Sequence, residues 1–126
     1  SSVPSPDGSE FATVVGGSNE NSITLVDRDG GSETSIFTAP YSLSGPVRFS
    51  QDSSQLAFLA DKTAAPDEKL KKPGVMVITQ DGADIAFFPG FTSYDWLPDG
   101  DLALAGSNDE VHRGNVQSST STQLFS

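Results

Sequence analysis

The amino-acid sequence predicts an all-β protein made of repeated antiparallel units of four strands each. Three segments resemble one another at a spacing of about 45 residues. Tight-turn residues interrupt each segment, and no stretch has the sustained 3.6-residue apolar periodicity of a helix. Four strands in a period of this length are typical of the blades of a β-propeller.

A β-hairpin is the first element of each unit. Its turn contains Asp7, Asp52 or Asp99, preceded by a short apolar stretch and followed by a strand of alternating residues. Asp7-Gly8 and Asp99-Gly100 supply the positive backbone φ angle that a tight turn needs. The three hairpin segments are VPSPDGSEFATVV (3 to 15), RFSQDSSQLAFLA (48 to 60) and DWLPDGDLALA (95 to 105).

A second hairpin follows in the first two units, with turns predicted at Asp29-Gly30 and Asp81-Gly82. The third unit ends in VQSSTSTQLFS, which has no second Asp-Gly turn. The chain is thus predicted to be one propeller-type unit, 1–126, with blade-like repeats at approximately 1–40, 41–90 and 91–126. Because propellers close with four to eight blades, we expect a partial propeller. Either the remainder of a longer chain or a second copy of this one would complete it.

The composition excludes several classes of function. The chain has 17 acidic residues against 7 Lys and Arg, a formal net charge of -10. Phosphate backbones would repel such a surface, so nucleic-acid binding is disfavoured. There is no cysteine for disulfides or thiolate metal sites, and the apolar stretches are too short to span a membrane.

Neither a metal site nor a catalytic site is predicted. The acidic stretch DRDGGSE (27 to 33) does not fit a calcium loop, since Leu25 and Ile36 fall at ligand positions. The nucleophile elbow Gly-x-Ser-x-Gly is absent, and His112 is the one histidine for any catalytic triad. We interpret His112 as an exposed loop or strand-end residue and expect no cofactor.

Two segments are candidates for a role beyond the core. The insertion between residues 61 and 74 holds every lysine and forms a candidate partner-binding loop or a solvated, mobile one. Trp96, with Phe87, Phe88 and Phe91 before it, is interpreted as core between blades rather than as a ligand cage. The charged residues of the loop are Lys62, Asp67, Glu68, Lys69, Lys71 and Lys72.

The segments SPDGSEFATVV and ITLVDRDGG resemble the WD40-like Pro-Asp repeat of the Tol-system periplasmic propeller and of the propeller domains of prolyl-oligopeptidase-type peptidases. Gln51-Asp52-Ser53 departs from the Pro-Asp-Gly pattern. The resemblance implies a non-catalytic scaffold that binds another protein, within a larger periplasmic, cell-envelope or extracellular protein, although a cytoplasmic location stays open. The alternatives are an accessory propeller of a serine peptidase whose catalytic domain lies elsewhere, and a carbohydrate-binding propeller.

Overall fold

The computed structural model describes residues 2–16, 21–29, 31–39, 42–61, 73–106 and 110–125. These residues form twelve β-strands in three separate sheets. The strands are β1 (Ser2–Pro4), β2 (Glu10–Gly16), β3 (Asn21–Asp27), β4 (Glu33–Ala39), β5 (Ser42–Phe49), β6 (Gln55–Asp61), β7 (Pro73–Thr79), β8 (Asp84–Pro89), β9 (Ser93–Trp96), β10 (Leu102–Ala105), β11 (Val111–Asn115) and β12 (Thr120–Phe125).

Each sheet is a meander in which every strand pairs antiparallel with the strand before it. We call the sheet of β1 to β4 blade 1, that of β5 to β8 blade 2 and that of β9 to β12 blade 3. β5 contacts both β1 and β9, so the first strands of the three blades lie side by side. The predicted four-stranded antiparallel units are confirmed.

Blade 3 is completed by β11 and β12, whose connecting turn has no recognisable sequence motif. β11 and β12 pair from Asn115 opposite Thr120 to Val111 opposite Phe125, with an irregularity between Val111 and His112. Their turn contains no Asp-Gly pair. Instead Ser119 adopts the left-handed conformation, with a φ of 59°, which a small polar residue tolerates at moderate cost.

Blade 2 is the middle layer, and its alternating residues form two separate cores. Leu56 and Phe58 of β6 belong to the core shared with blade 1, and Ala57 belongs to the core shared with blade 3. In β7, Met76 and Val77 divide in the same way. All five of these residues have no exposed surface, so both faces of blade 2 are covered.

An aromatic pair joins blades 1 and 2. The rings of Phe37 in β4 and Phe58 in β6 have centroids 5.9 Å apart and are tilted by 49°. Tilted aromatic pairs at this distance are favourable beyond the apolar area that they bury. The packing of neighbouring blades fixes the relative positions of their turns, and these turns form the candidate site.

Candidate binding site

The short turns of all three blades lie at one end of the strands. In an antiparallel meander, the connection from the first to the second strand and that from the third to the fourth strand share an end. We call this end the turn face. The connections from second to third strands leave from the opposite end, where Asp61 pairs with Pro73. The candidate loop carrying Lys62, Asp67, Glu68, Lys69, Lys71 and Lys72 joins these residues and lies outside the described residues.

Asp7 holds the first turn of blade 1 through one carboxylate oxygen. Its Oδ1 accepts hydrogen bonds from the Ser5 hydroxyl at 2.7 Å, the Ser9 hydroxyl at 2.8 Å and the Ser9 amide at 3.0 Å. Ser5 Oγ in turn accepts from the Glu10 amide at 3.2 Å. Gly8 completes the turn with a φ of 74°.

Asp52 makes the same network in blade 2. Its Oδ1 accepts from the Ser50 and Ser54 hydroxyls, each at 2.7 Å, and from the Ser54 amide at 3.0 Å. Ser53 takes the place of glycine and adopts a φ of 66°. The departure from Pro-Asp-Gly in this unit therefore leaves the hydrogen bonds of the turn intact.

These hydrogen bonds favour the ionised form of both aspartates. The Ser5 hydroxyl, followed by the Ser9 amide, lowers the pKa of Asp7 to about 2. The hydroxyls of Ser54 and Ser50 lower the pKa of Asp52 to about 2. Both carboxylates are accordingly anionic at neutral pH.

The equivalent turn of blade 3 is shorter by one residue and uses an arginine instead of serines. The Leu97 amide donates to the Asp101 carbonyl at 2.8 Å, and the Asp101 amide donates to Asp99 Oδ1 at 3.1 Å. Arg113 Nη1 donates to Asp99 Oδ2 at 2.5 Å and to Asp101 Oδ2 at 3.0 Å. The Asp101 amide and Arg113 lower the pKa of Asp99, and the two carboxylates raise the pKa of Arg113.

The turns from third to fourth strands differ from one another. In blade 2, Gly82 has a φ of 94°, its amide donates to the Thr79 carbonyl at 2.9 Å, and Asp81 accepts from the Thr79 hydroxyl. In blade 1, the Asp29 amide donates to Asp27 Oδ1 at 2.9 Å, and Gly31 has the positive φ, 66°. Gly30, predicted to form this bend with Asp29, lies outside the described residues.

In blades 1 and 2, the two turns of each blade are hydrogen-bonded to one another. The backbone amide of Arg28 donates to the Ser9 carbonyl in blade 1, and the backbone amide of Gln80 donates to the Ser54 carbonyl in blade 2, each at 3.0 Å. Gln80 Nε2 also reaches across to blade 1, where it donates to Glu10 Oε1 at 2.8 Å. The turn face is thus held within each blade and between blades 1 and 2.

A cleft of about 520 Å³ opens on the turn face between blades 2 and 3. One wall is the turn between β5 and β6, and the other is formed by both turns of blade 3. A hollow of about 360 Å³ adjoins it, and Gln51 and Trp96 line both spaces. The cleft is lined by Ser50, Gln51, Asp52, Ser54, Gln55, Trp96, Leu97, Pro98, Asp99, Gly100, Asp101, Asn115, Val116 and Gln117.

Trp96 contributes both to packing and to this cleft. It packs against the core between blades 2 and 3 together with Phe91, whereas Phe88 is buried within that core and Phe87 packs against the other one. The indole Nε1 donates to the Arg48 carbonyl at 2.8 Å, which fixes the ring. The core prediction therefore describes only part of the environment of Trp96. The sequence signal for its place in the lining of the cleft is its position just before the turn that contains Pro98-Asp99.

His112 lies near the end of a strand, as one of the two sequence interpretations has it, but its side chain is mostly buried instead of exposed. It is the second residue of β11, and its side chain is 18% exposed. Its Nε2 lies 3.2 Å from Glu110 Oε2, and its ring contacts Phe91 edge-on with centroids 4.9 Å apart. Strand pairing turns His112 towards the core because it lies opposite the buried Leu104.

Within the described ranges, no group of three or more His, Asp or Glu side chains is arranged to hold a metal ion. The same residues contain no helix that could cross a membrane. The cleft offers hydrogen-bonding amides, hydroxyls and carboxylates beside one aromatic ring.

Solved structures share this arrangement of blades. TolB from Acinetobacter baumannii matches with a TM-score of 0.70 and 18% identity over 98% of this chain and 31% of its own. The propeller domain of the Trilobed protease from Pyrococcus furiosus gives 0.72, with 15% identity over 100% of this chain and 42% of its own. The chain has a β-propeller fold. The predicted fold class, three blades of a partial propeller, is confirmed.

A third similar structure is the acylaminoacyl peptidase of Pyrococcus horikoshii, with a TM-score of 0.73 and 16% identity over 99% of this chain and 24% of its own. The chain therefore spans less than half the length of each of these three proteins. No protein-family model and no curated protein sequence matches it.

Proposed function

We propose that the chain is part of a non-catalytic propeller scaffold that binds another protein through its turn face. The cleft between blades 2 and 3 is the observation that carries this proposal. Hydrogen-bonded turns frame it on both sides, so the site is preorganised and little conformational entropy is lost on binding. Loops held by a rigid scaffold are a common place for recognition.

We also assign the repeats to the WD40-like Pro-Asp class and place the protein among larger secreted or cell-envelope proteins. The turns at Asp7 and Asp99, each preceded by Pro and followed by Gly, support the repeat class. The similarity to TolB from A. baumannii and to a putative TolB from Agrobacterium tumefaciens, with a TM-score of 0.67, supports the location. Further blades of a longer chain, or a second copy, would close the ring.

The second candidate is an accessory propeller of a peptidase. The similarity to an acylaminoacyl peptidase favours it. In that case the full-length gene would encode a Gly-x-Ser-x-Gly segment and a downstream histidine outside this chain. A carbohydrate-binding propeller has less support, because the positions equivalent to Trp96 in the other blades are Pro4 and the buried Phe49.

Protein binding at the turn face is testable by affinity capture from an extract of the source organism. The double variant Gln51→Tyr/Gln117→Tyr fills the cleft without changing its charge, because both residues are exposed cleft-lining amides. Gln123→Tyr is the matched control, since Gln123 is an exposed residue of β12 outside the cleft. We expect the wild type and the control to retain the same proteins and the double variant to lose them. Equal retention by all three forms would contradict the proposal.

A further inference from the structure

The cleft between blades 2 and 3 differs from the equivalent place between blades 1 and 2. Gln55 occupies in blade 2 the position that Glu10 occupies in blade 1. The backbone amide of each residue donates to the hydroxyl oxygen of the first serine of its turn. Glu10 is bridged to the neighbouring blade by Gln80. Within the described part of the chain, no side-chain hydrogen bond crosses from Gln55 to blade 3. The second cleft is therefore open where the first is bridged.

Four amide side chains line the open cleft: Gln51, Gln55, Asn115 and Gln117. Each has an oxygen that accepts and a nitrogen that donates, which is the pairing that a peptide backbone requires. Asn115 Oδ1 already accepts from the Ser118 amide at 3.0 Å. The fixed ring of Trp96 provides an apolar surface where the cleft meets the adjoining hollow. A long, extended ligand fits such a continuous surface better than a compact one.

The two walls of the cleft differ in charge compensation. Arg113 bridges Asp99 and Asp101 on the blade 3 wall. On the opposite wall, no cationic side chain among the described residues forms an ion pair with Asp52. The hydrogen bonds of Asp52 all reach Oδ1, which leaves Oδ2 to accept from a ligand. The cleft thus has an uncompensated carboxylate at a fixed position.

We infer that the cleft binds an extended segment of the partner protein, with a Lys or Arg side chain paired to Asp52 and the segment's backbone paired to the Gln and Asn amides. This inference rests on the proposed function and specifies the chemistry of the partner. A neutral saccharide could use the amides, the indole and, through a hydroxyl group, the carboxylate, but it has no positive charge to form an ion pair with Asp52. The contribution of the cation therefore distinguishes the two ligands.

The test is a titration of the isotope-labelled chain followed by NMR. Trp96 is the one tryptophan of the chain, so its indole N–H gives a single signal that reports on the cleft. The probes are the capped peptide Gly-Ser-Arg-Val-Ser-Gly, the same peptide with Gln in place of Arg, and maltohexaose. We expect the Arg peptide to shift the Trp96 signal and to bind roughly five-fold more tightly than the Gln peptide. Added salt would reduce this difference.

Asp7 provides a matched control for Asp52. Both aspartates make the same three hydrogen bonds, but only Asp52 lines the cleft. Asp52→Asn keeps an acceptor for the turn and should weaken binding of the Arg peptide about five-fold, whereas Asp7→Asn should leave binding unchanged.

Three outcomes would overturn the inference: equal binding of the Arg and Gln peptides, equal effects of the two variants, or a Trp96 response to maltohexaose alone. If no probe binds while the cleft-filled variant still loses its captured proteins, the inference falls and the proposed protein-binding role stands. If capture is also insensitive to filling the cleft, the proposed role falls as well.

Discussion

At the scale of single residues, the turns of blades 1 and 2 depend on an aspartate between two serines. Gly8 in one turn is replaced by Ser53 in the other, yet Asp7 and Asp52 accept equivalent hydrogen bonds from the flanking serines. A non-glycine residue in the left-handed region carries a conformational strain of about 1–3 kcal/mol. The hydrogen bonds around Ser53 must therefore stabilise the turn enough to offset this strain. The aspartate and its two flanking serines therefore define this turn more than the proline and glycine of the Pro-Asp-Gly pattern do.

These aspartates predict an acid-sensitive stability. The folded-state pKa of Asp7 and Asp52 is about 2, below the ordinary value of 3.8. A lowered pKa means that the stabilisation is complete above the unfolded-state pKa and is lost as the pH falls through the folded-state pKa. We expect the free energy of unfolding of the wild type to fall between about pH 4 and pH 2.

The double variant Asp7→Asn/Asp52→Asn isolates this effect, because neither amide titrates. Urea midpoints measured every half pH unit should converge for the wild type and the variant as the pH approaches 2. A constant difference between the two curves across this range would show that the turn aspartates do not titrate as stated.

At the scale of elements, the turn between β7 and β8 lies against the neighbouring blade. A Cβ atom at Gly82 would lie 1.8 Å from the carbonyl oxygen of Ile36 in β4. This approach closes the outer part of the interface between blades 1 and 2, where Gln80 also bonds to Glu10. Glycine at this position is therefore required for blade packing as well as for the backbone conformation of the turn.

Gly82 and Gly100 form a matched pair that separates these two requirements. Their φ angles are 94° and 93°, but no atom of the described residues lies within 4 Å of a Cβ atom at Gly100. We expect Gly100→Ala to lower the free energy of unfolding by about 1–3 kcal/mol through backbone strain alone. Gly82→Ala should lower it by a further 1–3 kcal/mol or so, because β4 must shift. Equal losses in chemical denaturation would mean that the contact with Ile36 is not maintained in solution.

At the scale of the whole molecule, the described residues cover blade 2 on both faces, whereas they cover each outer blade on one face only. Phe58, Val75, Met76 and Val77 have no exposed surface, whereas Val15 in β2 is 48% exposed. Local opening needs less free energy where fewer apolar contacts are lost. The three blades should therefore differ in local stability although their hydrogen-bond ladders are alike.

Amide hydrogen exchange measures this difference directly. The central strands β6 and β7 of blade 2 should exchange most slowly, and the equivalent central strands β2, β3, β10 and β11 should exchange faster. These strands are all paired on both edges, so the comparison isolates the covering of the blade faces. Equal protection in the three blades would instead indicate that the outer faces are covered in solution, as by a second copy of the chain.

Local chemistry explains why the sequence predicted the strands and most of the turns. The alternation of apolar and polar residues in a strand and the residue types of a tight turn are both set within a few neighbouring positions. The hairpins at Asp7, Asp52 and Asp99 can therefore be recognised from the sequence alone. The turn between β11 and β12 could not, because Ser119 carries its positive φ without the glycine that usually marks it. The partial burial of His112 has no local signal either, since it follows from the position of His112 opposite Leu104 on the neighbouring strand β10.

The sequence by itself determined the repeat, the all-β class and the acidic character of the chain. Only the tertiary structure decided where the cleft lies, because it is formed by segments at 50–55, 96–101 and 115–117. These segments meet through the packing of blade 2 against blade 3 and not through any local pattern. Asp7 and Asp52 are equivalent in sequence and in their hydrogen bonds, but only Asp52 lines the cleft, since blade 3 packs beside it.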